Sequence, residues 1–406
     1  MAIASMTHPT DYLNLFHRRV QLNIQYWHNF VTEQGDDVGA LDREHERIIT
    51  AITFALKLPA TWSIAYNLIN SFTRHMERRG YWEAWNQVLR QAVEAAEREG
   101  DLPALANLSA LLARLLRRQS RFKESVLAYR RAIRLSRHLG DSFGEARACT
   151  NLGYYFVEQG YWHRAEVLCC YALDIFKRIG SDHGQAHTEN HLGVLYTRQR
   201  RWEEAQSRLE QACAIWEKMR DDYGSMYGFM NLGLLYIDKQ KPQESLYYSK
   251  RALDRAKLVG EQLAIGTINM NIGISYRLSQ QLDEAEKHLQ LATSVFHHFS
   301  NSIGLAQVQA NLGLIYMDKK NWPKANFYLT NSLNAWHQLG NKFGEIQVML
   351  YLAEYELARK NQNSTLLWLN KLEQAVTQEE RSTQYDFFRT QIKEYRQRLL
   401  NENWQN

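Results

Sequence analysis

Apolar residues fall at intervals of three and four through most of the chain, the spacing of helices with one buried face. The pattern itself returns every forty residues. Asn-Leu-Gly stands at Asn151-Leu152-Gly153, Asn231-Leu232-Gly233 and Asn311-Leu312-Gly313, with His191-Leu192-Gly193 and Asn271-Ile272-Gly273 between them. Twelve residues beyond each glycine comes a small residue: Ala165, Ala205, Ser245, Ala285 and Ala325. Nineteen beyond it comes another: Ala172, Ala212, Ala252, Ala292 and Ser332. Each copy predicts two helices, in one case roughly over residues 144–159 and 162–179, with Gly160 and Gly180-Ser181-Asp182 as turn and cap residues. Pro242 and Pro323 open second helices and Pro103 a first one, where proline forfeits no hydrogen bond. Short side chains let two helices approach closely. One pair cannot bury its apolar face alone, and stacked pairs can.

These landmarks resemble the tetratricopeptide repeat in a forty-residue form. Leu152, Gly153, Phe156, Ala165 and Ala172 carry the match in one copy, and the register is nearly gap-free from Ala104 to about Asn361. A weaker copy covers residues 69–100, and the last has Tyr351-Leu352-Ala353 in place of Asn-Leu-Gly, as in a terminal repeat; seven copies are clear and one is degenerate. The resemblance implies an all-α fold, a right-handed superhelical solenoid of helix-turn-helix repeats. Its expected division is an N-terminal helical segment at 1–60, the repeats at 61–377, and a C-terminal capping helix and tail at 378–406.

Residues 11–58 lie outside the register as two amphipathic helical stretches joined by GDDVGA. With Leu41-Asp42 and Arg79-Gly80-Tyr81-Trp82, this order is similar to the region after the ATPase and winged-helix modules of bacterial signal-transducing NTPases of the NB-ARC and MalT-like (STAND) type. There a helical linker leads into a repeat sensor. The chain has no GxxxxGK[ST] segment, so its phosphate cradle is missing. It is then either a sensor whose ATPase or regulator lies on another chain, or an independent adaptor. A second resemblance is to the Gram-positive peptide-pheromone receptors, in which a helical bundle precedes such repeats and acts on a response regulator or transcription factor.

In tetratricopeptide proteins the first helices line a concave groove. Carried over by position, that groove receives Asn151, His191, Asn231, Asn271 and Asn311, with Arg147, His187 and Tyr227 one turn earlier and Tyr154 one turn later. An Asn amide both donates and accepts, so a ladder of them can hold an extended peptide backbone. The alternative is that each Asn bonds a neighbouring helix and only fixes the stacking. Arg114 and Arg118, four apart on a first helix, are placed to clamp a carboxylate near Arg147. The outer arginines, Arg130 to Arg137, read as a solvated basic face; the alternative is a nucleic-acid-linked regulator with the whole Arg114–Arg137 patch as its contact, the weaker reading, since no basic-aromatic stacking platform accompanies it.

His183, His187 and His191 share a helical face, but no carboxylate or thiol stands in register to complete a metal site, and none is expected. The four cysteines form no CxxC pair. No GxSxG, HExxH or glycine-rich phosphate loop occurs, so neither catalysis nor a cofactor is expected. A net charge of +5, no run of eighteen apolar residues and a start without a basic flank and apolar stretch predict a cytoplasmic protein without a membrane partner. The expected function is a scaffold or sensor in bacterial signalling or regulation that binds a protein or peptide segment in its groove.

Overall fold

The computed structural model describes residues 9–35, 37–119, 121–377 and 385–401. The readings made on residues 1–8, 378–384 and 402–406 lie outside them. Two helices come first, α1 (Pro9–Glu33) and α2 (Val38–Ala55), then a 3-10 turn at Pro59–Thr61. Eight helix pairs follow: α3 (Trp62–Arg79) with α4 (Trp82–Glu99), α5 (Leu102–Arg118) with α6 (Phe122–His138), α7 (Ser142–Glu158) with α8 (Trp162–Arg178), and α9 (Asp182–Arg198) with α10 (Trp202–Lys218). Next are α11 (Asp222–Asp238) with α12 (Pro242–Leu258), α13 (Gln262–Leu278) with α14 (Leu282–His298), α15 (Ser302–Asp318) with α16 (Trp322–Gln338), and α17 (Lys342–Ala358) with α18 (Gln362–Thr377). A single helix, α19 (Asp386–Asn401), completes the described chain. No strand occurs among the described residues, and none of their helices is long and apolar enough to cross a membrane.

The turns explain the strict period. A residue with positive φ recurs every twenty positions, as Gly at 80, 100, 140, 160, 180, 260 and 340, and as Arg200, Arg220, Gln240, Gln280, Ser300, Lys320 and Lys360. At one such turn Arg220 N donates to Glu217 O at 3.1 Å and Asp221 N to Trp216 O at 2.9 Å, which satisfies the last carbonyls of α10. The Asp221 carboxylate then accepts from Gly224 N at 2.9 Å and caps α11. Asp101, Asp141, Ser181, Asn301 and Asn341 make the same bond ahead of other first helices.

The ten small residues of the register are all 0% exposed. Where serine replaces alanine, its hydroxyl finds a carbonyl: Ser245 Oγ donates to Gly233 O at 2.8 Å and Ser332 Oγ to Ala306 O at 2.7 Å. A buried hydroxyl left without such a partner would cost roughly 1–3 kcal/mol. The glycine of each triplet has an equally direct cause. A methyl group at Gly193 would lie 2.6 Å from Leu209, and one at Gly313 would lie 2.7 Å from Leu329.

The chain divides into two compact units, one of residues 1–155 with 168–184, the other of residues 156–167 with 185–406. In the first, Val20, Ile24, Trp27 and Val31 of α1 and Leu41, Ile48 and Ile52 of α2 share a core with Leu68, Ile69, Phe72 and Met76 of α3. Trp27 thus turns inward, whereas its neighbour Tyr26 is 58% exposed. The Leu41-Asp42 and Arg79-Gly80 segments singled out in the sequence meet here. Arg79 holds the Asp42 carboxylate by Nε at 3.0 Å and Nη2 at 2.7 Å, His75 Nε2 lies 3.1 Å from it, and His45 stacks on Tyr81 at 4.1 Å. In the second unit separate clusters link successive pairs, and Phe388, Ile392, Tyr395 and Leu399 of α19 cover the end with α17 and α18.

Candidate functional site

Within the second unit, successive first helices touch one another, α11 with α13, α13 with α15 and α15 with α17, whereas no described pair of successive second helices does so to the same extent. The first helices therefore line the inner side of that unit. Its stripe carries Tyr227, Asn231, Asn271 and Asn311, preceded by His187 and His191 on α9.

The asparagines differ in what they leave open. Asn231 Nδ2 donates to Asn190 Oδ1 at 2.9 Å, and Asn311 Nδ2 to Gln307 O of its own helix at 2.9 Å. Both are half-buried, and neither Oδ1 accepts a hydrogen bond from the described residues. Asn271 is only 3% exposed and turns its amide to Met230 O at 3.5 Å. The Asn231 N–H thus ties α11 to α9, the Asn311 N–H stays within its own helix, and the acceptor of each is left without a partner among the described residues. His187 packs edge-on against Trp216 at 5.1 Å, and Tyr227 against Tyr223 at 5.1 Å.

The first unit holds the remaining positions. Arg147 Nη2 donates to Asn107 Oδ1 at 2.6 Å, and Asn107 in turn donates to Asn70 Oδ1 at 2.7 Å and Tyr66 Oη at 3.1 Å. Asn151 Nδ2 donates to Arg147 O at 3.0 Å. Burial, then the nearby Arg114 guanidinium, pulls the Arg147 pKa below its ordinary value. Arg114 lies 2.9 Å from Glu77 and Arg118 3.7 Å from the same carboxylate, which is 5% exposed, while Arg117 sits over the Tyr154 ring at 5.0 Å. One buried carboxylate therefore serves two arginines.

The outer basic run is partly neutralised by acids from elsewhere in the chain. Arg131 pairs with Glu97 and Arg137 with Glu145 at 2.7 Å, whereas Glu124, the acid inside the run, is shared with Arg90 from outside it at 2.6 Å. No group of three or more His, Cys, Asp or Glu able to hold a metal occurs among the described residues. Cys149, Cys169 and Cys213 are buried, and burial pushes the Cys149 and Cys213 thiols up to about 12.

Sequence reasoning missed a polar cluster at the carboxyl ends of the inner helices in the second unit. Arg277 Nε donates to Asp318 Oδ2 at 2.6 Å, Gln347 Nε2 to Tyr351 Oη at 2.8 Å, and Tyr395 Oη to Glu354 Oε1 at 2.5 Å. Asp238 accepts no hydrogen bond or ion pair from the described residues. Its side chain is exposed, and desolvation nonetheless pushes its carboxyl up, against the pull of Arg198 and Arg200. Burial also raises Glu354 and lifts Tyr351 to about 12. The signal was in the register: Tyr351 stands forty residues after Asn311, and Glu354 forty after Leu314.

No curated protein matches this sequence. A tetratricopeptide-repeat family model matches residues 140–218 and 223–296, and a second one residues 108–142. Among solved structures, a Rap protein complexed with Competence and Sporulation Factor is similar at 13% identity, with a TM-score of 0.61 over 89% of this chain and 98% of that one. The quorum sensor NprR from B. thuringiensis, in its apo form, is 17% identical with a TM-score of 0.54 over 89% of this chain and 99% of that one. A STAND protein with a tetratricopeptide repeat sensor from Pyrococcus horikoshii is 14% identical with a TM-score of 0.52 over 87% of this chain; the chain spans 55% of that protein. Helix pairing, the forty-residue register and the family models agree: this chain is built of tetratricopeptide repeats in an all-α fold.

Proposed function

We propose that the chain is a binding scaffold without chemistry of its own, which takes an extended peptide or protein segment on the inner faces of its first helices and passes that event to a regulatory partner. The observation that carries the reading is the pair of half-buried amides at Asn231 and Asn311, each with its N–H held and its acceptor unoccupied by the described residues, bordered by Tyr227, Leu234 and Leu314. A peptide N–H needs such an acceptor, and a braced one loses little entropy on binding. In the first unit, Arg114, Arg118 and Arg147 supply positive charge for an acidic group, with Asn151 and Tyr154 beside them. The Rap and NprR structures, one complexed with Competence and Sporulation Factor and the other a quorum sensor, favour a peptide signal as the ligand. The partial neutralisation of Arg131 and Arg137 by Glu97 and Glu145 disfavours the nucleic-acid reading.

The test is capture of peptides from the small-peptide fraction of a native lysate, identified by mass spectrometry. Wild type is compared with a folded Asn231→Ala, Asn311→Ala variant. Each lost hydrogen bond is worth about 1 kcal/mol, so the variant should hold the same peptide roughly 10- to 30-fold more weakly. Equal retention by both proteins would remove the inner face from consideration.

A further inference from the structure

Helix α19 buries one side against α17 and α18, as an end cap does. Its other contacts are not those of an end cap. Tyr395 reaches Glu354, which belongs to the inner stripe, at 2.5 Å. The Phe387 ring receives the Arg200 guanidinium at 4.1 Å from its centroid. Arg200 belongs to the turn after α9, so this contact joins the last described helix to one four repeats earlier. A guanidinium held that close to an aromatic face is attracted by the ring quadrupole, and more strongly where water is thinned.

The residues between these two anchors sit at one end of the inner helices. Asp238 is the last residue of α11, Asp318 the last of α15, and Arg277 the last but one of α13. The Arg277–Asp318 pair at 2.6 Å bridges two of those ends, and Tyr351 feels the charge of both Asp238 and Arg277. Glu354, which Tyr395 of α19 reaches, feels the charges of Arg277 and Asp318 and of Arg398 on α19 itself.

We propose that α19 shuts the inner face of the second unit at the rim formed by the carboxyl ends of its first helices, with Arg200–Phe387 as the clip. A chain cannot then run through the site and out past that rim. In so far as the inner face binds peptide, which rests on the function proposed above, the occupant is a short peptide presenting a free end rather than an internal loop of a folded protein.

The closure is testable without any ligand. In a Cys170→Ser background, Asp238→Cys is treated with a small maleimide and with a maleimide carried on a long polyethylene glycol chain. Tyr247→Cys, at a position 57% exposed on the second helix α12, is the reference. The bulky reagent should react at least about tenfold more slowly at D238C than at Y247C, relative to the small one, and adding Phe387→Ala should abolish most of that difference. If D238C does not fold, Leu234→Cys on the same helix replaces it. Equal bulky-reagent rates in the otherwise intact chain would overturn the closure, as would a difference that survives Phe387→Ala. A closed rim with no peptide captured would instead leave the closure standing and refute only the peptide reading.

Discussion

Gly224 is the third residue of α11 and lies against Trp216 of the preceding helix. A methyl group there would stand 2.3 Å from Trp216 Nε1 and 2.4 Å from Cδ1. Ordinary contact needs about 1 Å more, and Trp216 is 0% exposed, with no open space to swing into. Overpacking of this kind costs roughly 1–3 kcal/mol, while alanine in place of glycine in a helix returns at most about 1 kcal/mol. Gly224→Ala should therefore destabilise the chain by about 1–2 kcal/mol. Trp216→Ala alone should cost about 3–5 kcal/mol by opening a cavity. The double variant should cost less than the sum, because the clash has no partner left. The protein already contains that arrangement one repeat later, where Ala264 stands opposite Ala256. Urea unfolding of the four proteins, followed by far-ultraviolet circular dichroism, measures the cycle. A Gly224→Ala midpoint at or above wild type, or strictly additive losses, would refute the steric account.

Two other perturbations test different parts of the fold. Burial lowers the His75 pKa from 6.5 to about 4, outweighing the Asp42 carboxylate beside it, so on acidification the unfolded chain takes up the proton first. The stability involved, about 3 kcal/mol, is complete above pH 6.5 and is lost as the pH falls towards 4; His75→Phe should flatten the urea midpoint across that window. Ser300 holds φ 49 in a turn where sister positions carry glycine, so Ser300→Gly should raise thermal stability by about 0.5–1 kcal/mol, measured by calorimetry, whereas Gly260→Ser at φ 68 should lower it.

Much of this architecture was legible because a helix pair that must stack on copies of itself writes its packing into the sequence at fixed intervals. The small residues at 165 and 172 and their equivalents announce close helix contacts, and the structure buries every one. The glycines at 184, 224, 304 and 344 were equally periodic, but their meaning lies in a second series, Phe176, Trp216, Phe296 and Trp336, on the preceding helix. Only coordinates bring the two together. Neutralisation of the basic run was hidden for a similar reason: the acid paired with Arg131 is 34 residues away. Register also put the asparagines on first helices, yet could not say which amide is buried: the previous repeat offers Asn231 the Asn190 side chain and Asn271 the Met230 carbonyl, and only Asn271 is shut from solvent. The reach of Phe387 to Arg200 depends on how far the array curves, which no local periodicity encodes.

The twenty-residue beat of left-handed turns makes the chain intolerant of small changes in length. Deleting one residue from any helix would rotate everything after it by about 100° about the helix axis, turning buried positions to water. The turns, whether they carry glycine or a longer side chain, would then miss their caps at once. Removing or duplicating forty residues leaves every face where it was. Such a molecule can grow or shrink only in whole modules, so its binding surface can be lengthened by one rung at a time while each existing rung stays in register.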